Sequence, residues 1–270
     1  MGRGNRRCHV LAIAGLALLA AAGEAAAQGQ DDTGAGQPVD AEIVLAVDAS
    51  RSMDLSEFAT QRDGYLAALR HPDLIRAITA GRLGRVAIAY FEWSGEIRDG
   101  ALVPWRVIAT PEDAAAMADE IAGMPTIRGR GTSISRALSF ASALLDDGSV
   151  DGARQVIDVS GDGANNAGPP VTGARDAVVA RGITINGLPV MTAPGGAMDE
   201  LDRYYEECVI GGIGGFVMVA HGWEDFALTI RRKLIMEISG LSPEPRVVPA
   251  QYQPMDCMIG EKQFRWRFNR

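Results

Sequence analysis

Three short segments of this 270-residue chain concentrate side-chain oxygen. Asp48-Ala49-Ser50-Arg51-Ser52 follows an apolar run at 42–47, and alternate residues of an extended turn there would aim three oxygens at one point. Gly129-Arg130-Gly131-Thr132-Ser133 opens a helical pattern beginning at Ile134. Gly131 lets the backbone turn, and Thr132 either caps that helix or faces a cleft. Ser160-Gly161-Asp162-Gly163 follows a second apolar run, and its glycines let Asp162 sit on a tight turn. The three segments offer two carboxylates, Asp48 and Asp162, and three hydroxyls, Ser50, Ser52 and Thr132, without His or Cys. A hard-oxygen set of this kind suits Mg²⁺, Ca²⁺ or Mn²⁺, with Mg²⁺ favoured. Two carboxylates only just neutralise a divalent ion, which would keep waters or an open position and attract a further carboxylate. A Cys/His zinc site is not expected, because no CxxC or Cys/His cluster occurs.

The elements that would position these loops are legible as apolar runs and helical periodicity. Runs at 42–47, 85–91, 102–108, 155–159, 183–188 and 216–219 predict six strands. Several lack polar alternation, as strands buried on both faces do. Pro104 places the third at a sheet edge. Helical patterns lie at 55–69, 111–121, 134–145, 171–180, 198–205 and 223–238, the last with Phe226, Ile230, Leu234 and Ile238 on one stripe. The expected fold is α/β, a doubly wound, mostly parallel six-stranded sheet flanked by helices, and ligands in such sheets bind beyond the carboxyl ends of the strands. All three oxygen-rich segments fall at that edge.

The N-terminal residues predict export. Arg3, Arg6 and Arg7 precede an uncharged apolar run at 10–22, and Ala25-Ala26-Ala27 offers a cleavage site before Gln28. Residues 1–27 therefore read as a signal peptide too short to span a bilayer comfortably. Residues 28–39 read as a disordered polar leader, 40–240 as the folded domain and 241–270 as a tail. Residues 1–27 carry three Arg and one Glu, so their removal takes the net charge from −8 to −10. That balance argues against nucleic acid and anionic membrane surfaces and is compatible with a cation site. Two cysteines remain, Cys208 and Cys257, and in an exported chain they predict one disulfide pinning the tail. The compartment is periplasmic or extracellular.

Two further polar residues sit near the third segment. Asp158 lies inside an apolar strand, where it either orients the Asp162 turn or faces solvent at the strand end. Asn165 and Asn166 are turn formers, one of which could hold a metal-bound water. The Gly211–Gly215 segment precedes a strand and lacks a P-loop Lys, and no G-x-S-x-G elbow occurs.

DASRS at 48–52, GTS at 131–133 and GDG at 161–163 resemble the metal-ion-dependent adhesion site of von Willebrand factor A domains, whose motif is D-x-S-x-S, then a Thr, then an Asp. The resemblance covers about residues 40 to 240. IDVSGDGANN at 157–166 and CVIGG at 208–212 resemble more specifically the bacterial family of unknown function numbered 1194. The resemblance implies that Ser50, Ser52 and Thr132 supply hydroxyl ligands, that Asp48 and Asp162 bind directly or through waters, and that an Asp or Glu of a partner protein completes the sphere. Such domains usually bind proteins and do not catalyse. One departure is Gly161, where a Thr often precedes the Asp. Three readings follow: a metal-dependent protein-binding module, which the full set favours; a metal-assisted hydrolase, weakened by the lack of a general base besides the two Asp; and a metal-free structural domain.

Overall fold

Glu42–Asp48 is buried along its whole length, and covering both of its faces organises the rest of the chain. The computed structural model describes Met1 and residues 36–192, 198–243 and 253–268. The elements are β1 (Gln37–Val39), β2 (Glu42–Asp48), α1 (Leu55–Leu69), α2 (Pro72–Thr79), β3 (Val86–Trp93), β4 (Ile97–Ile108), α3 (Pro111–Ala122), α4 (Ile134–Leu144), β5 (Val150–Gly152), β6 (Gln155–Gly161), α5 (Val171–Val179), β7 (Thr184–Pro189), α6 (Leu201–Tyr204) continuing into a π-helical turn at Tyr205–Val209, α7 (Trp223–Ser239) and α8 (Ile259–Phe268).

The main sheet has the order β4-β3-β2-β6-β7. All neighbours are parallel except β4, which pairs antiparallel with β3 at the edge and carries an exposed Pro104. Successive side chains of β2 point to opposite faces. Ile43, Leu45 and Val47 enter a core shared with Tyr65 and Leu69 of α1, Met117 of α3 and Phe226 of α7. Val44 and Ala46 enter a second core with Leu138 of α4, Val178 of α5 and Tyr205. The result is a three-layer, doubly wound domain. From β2 the chain passes through α1 and α2 to β3 on one side, while β6 flanks β2 on the other. The carboxyl end of β2 is thus the switch point at which such sheets open a crevice.

The sheet has five strands, not the six expected. The run at 216–219 follows β7 through isolated bridges, Gly187 to Val217 and Val190 to Ala220. Its ladder is broken because the Phe216 N–H donates to Asn186 Oδ1 and Pro189 has no N–H to contribute. β1 lies within the stretch expected to be a disordered leader and pairs in parallel with β5 as a separate two-stranded sheet. α2 and α8 were not expected. The first starts at Pro72 under a His71 cap, and the second lies in the expected tail. The signal-peptide expectation falls on residues that, Met1 apart, lie outside those described. Cys208 and Cys257 are disulfide-bonded across a separation of 49 residues. By chain entropy such a closure contributes about 4 kcal/mol.

Asp158 neither reaches the Asp162 turn nor faces solvent. It is wholly buried, and Lys233 Nζ of α7 lies 2.6 Å from its Oδ1 and 2.5 Å from Glu237 Oε1. Asn186 Nδ2 donates to Glu237 Oε1 at 2.8 Å. Burial first, and Asp158 second, push the Glu237 carboxyl up to about 7. The folded chain then holds a proton that the unfolded chain releases near the ordinary value of 4.5. This group therefore contributes stability below about pH 4.5 that is lost as pH rises through about 7. Glu237→Gln is expected to flatten the fall in urea-unfolding free energy across that window. An unchanged slope would contradict the assignment. Lys233→Ala, which strands two buried carboxyls, should cost about 3–5 kcal/mol in the same assay.

Candidate metal centre

The residues that build the crevice come from the ends of β2 and β6 and from the loop before α4. Asp48, the last residue of β2, is wholly buried. Its Oδ1 accepts from the Ser50 N–H at 2.7 Å, which curls the chain tightly after the strand. Its carbonyl accepts from Gln61 Nε2 of α1 at 2.7 Å. Ser50 Oγ and Ser52 Oγ are 2.6 Å apart, and Ser52 Oγ donates to Asp162 Oδ1 at 2.7 Å. One polar chain therefore runs from Ser50 through Ser52 to Asp162, across 110 residues of sequence. Asp54, two residues past Ser52, caps α1 with Glu57 in a reciprocal capping box and takes no part in this chain.

The second loop is held against the first by backbone. Gly129 N donates to Ala49 O at 3.0 Å, and Arg51 N donates to Gly129 O at 2.9 Å. Gly131 has φ +76°, a left-handed turn that glycine adopts without cost. Thr132 does not cap α4, whose N-cap is Ser133. Its Oγ1 instead lies 3.8 Å from where a Cβ on Gly163 would sit, so it faces the third loop. Asn166 fixes it there: Asn166 Oδ1 accepts from Thr132 N at 2.8 Å, and Asn166 N donates to Thr132 O at 2.8 Å. Asn165 serves a different purpose. Its Oδ1 accepts from Ser135 N at 3.1 Å and its Nδ2 donates to Glu261 Oε1 of α8 at 2.7 Å.

Asp48, Ser50, Ser52 and Asp162 thus converge, with Thr132 opposite. Asp158 belongs to the Lys233 cluster, and Asn165 to the anchor between α4 and α8. Sequence reasoning missed Gln61, Tyr205 and Asn166 as supports. Only Asn166 stood near a motif, and its role depends on a partner loop 34 residues away.

The electrostatics are unusual for a folded interior. Burial, with repulsion from Asp162 added, pushes the Asp48 carboxyl well above its ordinary range. Burial also raises that of Asp162. Asp48 Oδ2 is buried without a hydrogen-bond partner, a cost that a cation would relieve. Two other buried carboxylate sites carry internal cations, since Arg62 binds Glu92 through two 2.9 Å bonds and Lys233 serves Asp158 and Glu237, whereas buried Glu42 accepts from Gly152 N and Gln155 Nε2 instead. Among the described residues neither Asp48 nor Asp162 has a Lys or Arg partner. No group of three or more His, Cys, Asp or Glu that could hold a metal occurs among them either. This set has only two carboxylates and makes up its number with hydroxyls. Two carboxylates and three hydroxyls, with Asp48 Oδ2 left without a partner, fit a hard divalent cation.

The fold is von Willebrand factor A-like, a doubly wound α/β domain. The chain belongs to the family described as a protein of unknown function, DUF1194, whose model matches residues 38–242. No curated protein sequence matches it. Among solved structures it is similar to proximal thread matrix protein 1 from the mussel byssus, with TM-score 0.54 and 17% identity over 76% of this chain and 48% of that one. The pilus adhesin SpaC from Lactobacillus rhamnosus GG gives TM-score 0.52 and 15% identity over 75% of this chain and 31% of that one. The vWF domain of the type V pili tip protein Mfa5 from Porphyromonas gingivalis gives 0.52 and 11% over 77% and 98%. The chain therefore spans less than half of the first two proteins.

Gly161 is the position at which the motif departs from the commoner pattern, and Tyr205 and Asp48 occupy the space a side chain there would need. A Cβ on Gly161 would lie 2.9 Å from Tyr205 Oη, 3.0 Å from Asp48 Oδ2 and 3.2 Å from Asp48 Cβ. Gly161→Ala is expected to cost about 1–3 kcal/mol in urea unfolding. Adding Tyr205→Phe, which removes the nearest atom, should recover part of that loss. A Gly161→Ala protein as stable as the parent would refute the contact.

Proposed function

We propose that this protein is an exported binding module that holds a divalent cation, Mg²⁺ in the first instance, through Asp48, Ser50, Ser52, Thr132 and Asp162, and docks an Asp or Glu of a partner protein on it. The observation that carries the reading is the pair of buried carboxylates at the switch point, served by hydroxyls and, among the described residues, by no Lys or Arg. When bound, the cation would supply the positive charge that these carboxylates lack and an open position for a carboxylate from outside. The chain's residues do the rest. Gln61 and the Ser50 N–H fix Asp48, Ser52 links the first loop to Asp162, and Asn166 holds Thr132 across from them.

The reading is one of binding and not of turnover. The three oxygen-rich loops contain no His. Of the two histidines described, His71 caps α2 and His221 precedes α7. The named structural neighbours are a matrix protein, an adhesin and a pilus tip protein. Export, to a periplasm or beyond, is supported by the N-terminal sequence and by the Cys208–Cys257 disulfide. Among the described residues no helix is long and apolar enough to cross a membrane.

Thermal unfolding with Mg²⁺, Ca²⁺, Mn²⁺ or EDTA tests the proposal. An ion at about five times its Kd stabilises by about 1 kcal/mol, or roughly 2–4 °C for a chain of this size. Asp48→Ala should abolish the shift. Because both carboxyls are pushed above their ordinary range, protons compete with the ion, so the shift should grow as pH rises. No shift with any ion, or an equal shift in Asp48→Ala, would sink the metal reading.

A further inference from the structure

Beside the crevice lies a second feature that the metal does not use. A cavity of about 520 Å³ is lined by Arg51, Arg98, Arg130 and Arg136, with Glu96 as its one acidic wall residue. All four arginines are exposed, and none makes a salt bridge to a carboxylate among the described residues. This concentration of positive charge stands out in a chain of net charge −8.

The cavity is built from the same backbone as the metal loops. Arg51 sits between Ser50 and Ser52, and Arg130 lies two residues before Thr132. Gly95 N donates to Arg130 O at 3.2 Å, and Ser133 N donates to Ser94 O at 3.1 Å, which joins the β3–β4 turn to the second loop. Arg136 donates to the Gly95 carbonyl and is held at the wall by it. Ala167, next to Asn166, completes the rim. A ligand arriving at the crevice therefore meets a cationic hollow directly beside it.

We infer that this hollow takes further carboxylates of the same partner, so that the docked segment is a run of acidic residues and not a single Asp or Glu. Guanidinium groups bind carboxylates through paired N–H donors, and such a cluster also steers an acidic segment towards its site. The inference rests on the docking role proposed above, but the two parts separate experimentally, because the arginines need no cation to act.

A fluorescein-labelled hexaglutamate peptide, titrated into the purified protein by anisotropy in Mg²⁺ and in EDTA, reads both. Arg98→Glu/Arg130→Glu is expected to weaken binding by about tenfold or more in either condition. The milder Arg98→Gln/Arg130→Gln should do so to a smaller degree, which guards against a folding defect. Wild-type affinity should fall as salt rises. Asp48→Ala should lose only the Mg²⁺-dependent part. Charge-reversed protein that binds like the parent, or a parent that does not bind the peptide in Mg²⁺, overturns the inference. Equal wild-type affinity in Mg²⁺ and EDTA, with the arginine effect intact, overturns the metal reading alone.

Discussion

Asp48 is a carboxylate placed at the end of a strand that is buried on both faces, and the upper edge of the domain is arranged around that position. A strand covered by helices above and below is mostly apolar, as β2 is from Ile43 to Val47. Asp48 ends that apolar run, yet water is still excluded there. The cost of burying Asp48 is met in part by the Ser50 N–H, and its backbone is pinned by Gln61. The remaining oxygen, Oδ2, has no such help. Gly161 of the neighbouring strand must stay small because Asp48 and Tyr205 already fill the space around it. The first loop, the β6 end and the π-helical turn are therefore constrained by one buried group.

Comparing the buried carboxylates gives that arrangement its meaning. Asp158 and Glu237 share Lys233 between sheet and helix, and Glu92 is clasped by Arg62. These are closed systems, whose cations are part of the fold and whose role ends in holding α7 and α1 to the sheet. At Asp48 and Asp162 the fold brings serine and threonine hydroxyls instead. Hydroxyls can accept from and donate to one another, as Ser50 and Ser52 do, but they cannot neutralise a carboxylate. Among the described residues the fold thus supplies counter-ions to Glu92, Asp158 and Glu237 but places hydroxyls, and no Lys or Arg, against the Asp48–Asp162 pair.

Much of this was legible in the sequence for a simple reason. Strands buried on both faces appear as unbroken apolar runs, and the loops after them are marked by abrupt polarity, so Asp48, Ser50, Ser52, Thr132 and Asp162 could be placed at one edge. Asp54 and Thr110 cap α1 and α3 through bonds within their own first turns, which are local in sequence. What stayed hidden was tertiary. Nothing around Asp158 announces that Lys233 lies across from it, 75 residues on. The run at 216–219 looks like a strand, but an asparagine side chain and a proline deny it a full ladder. β1 and β5 are three residues each, too short to show a period.

The C-terminal segment illustrates how far the constraint reaches. The family match ends at residue 242, and α8 lies beyond it. Yet the Cys208–Cys257 bond ties that region to the π-helical turn carrying Tyr205, and Glu261 of α8 accepts from Asn165 Nδ2. Asn165 in turn anchors α4 through Ser135, one residue before the asparagine that holds Thr132. The turn behind Gly161 and the loop after Asp162 are thus buttressed by the same short segment. A disulfide here does more than shorten the unfolded chain. It joins the turn that carries Tyr205 to the segment whose Glu261 bonds Asn165, so two neighbours of the crevice are linked through a part of the chain that contributes no oxygen to it.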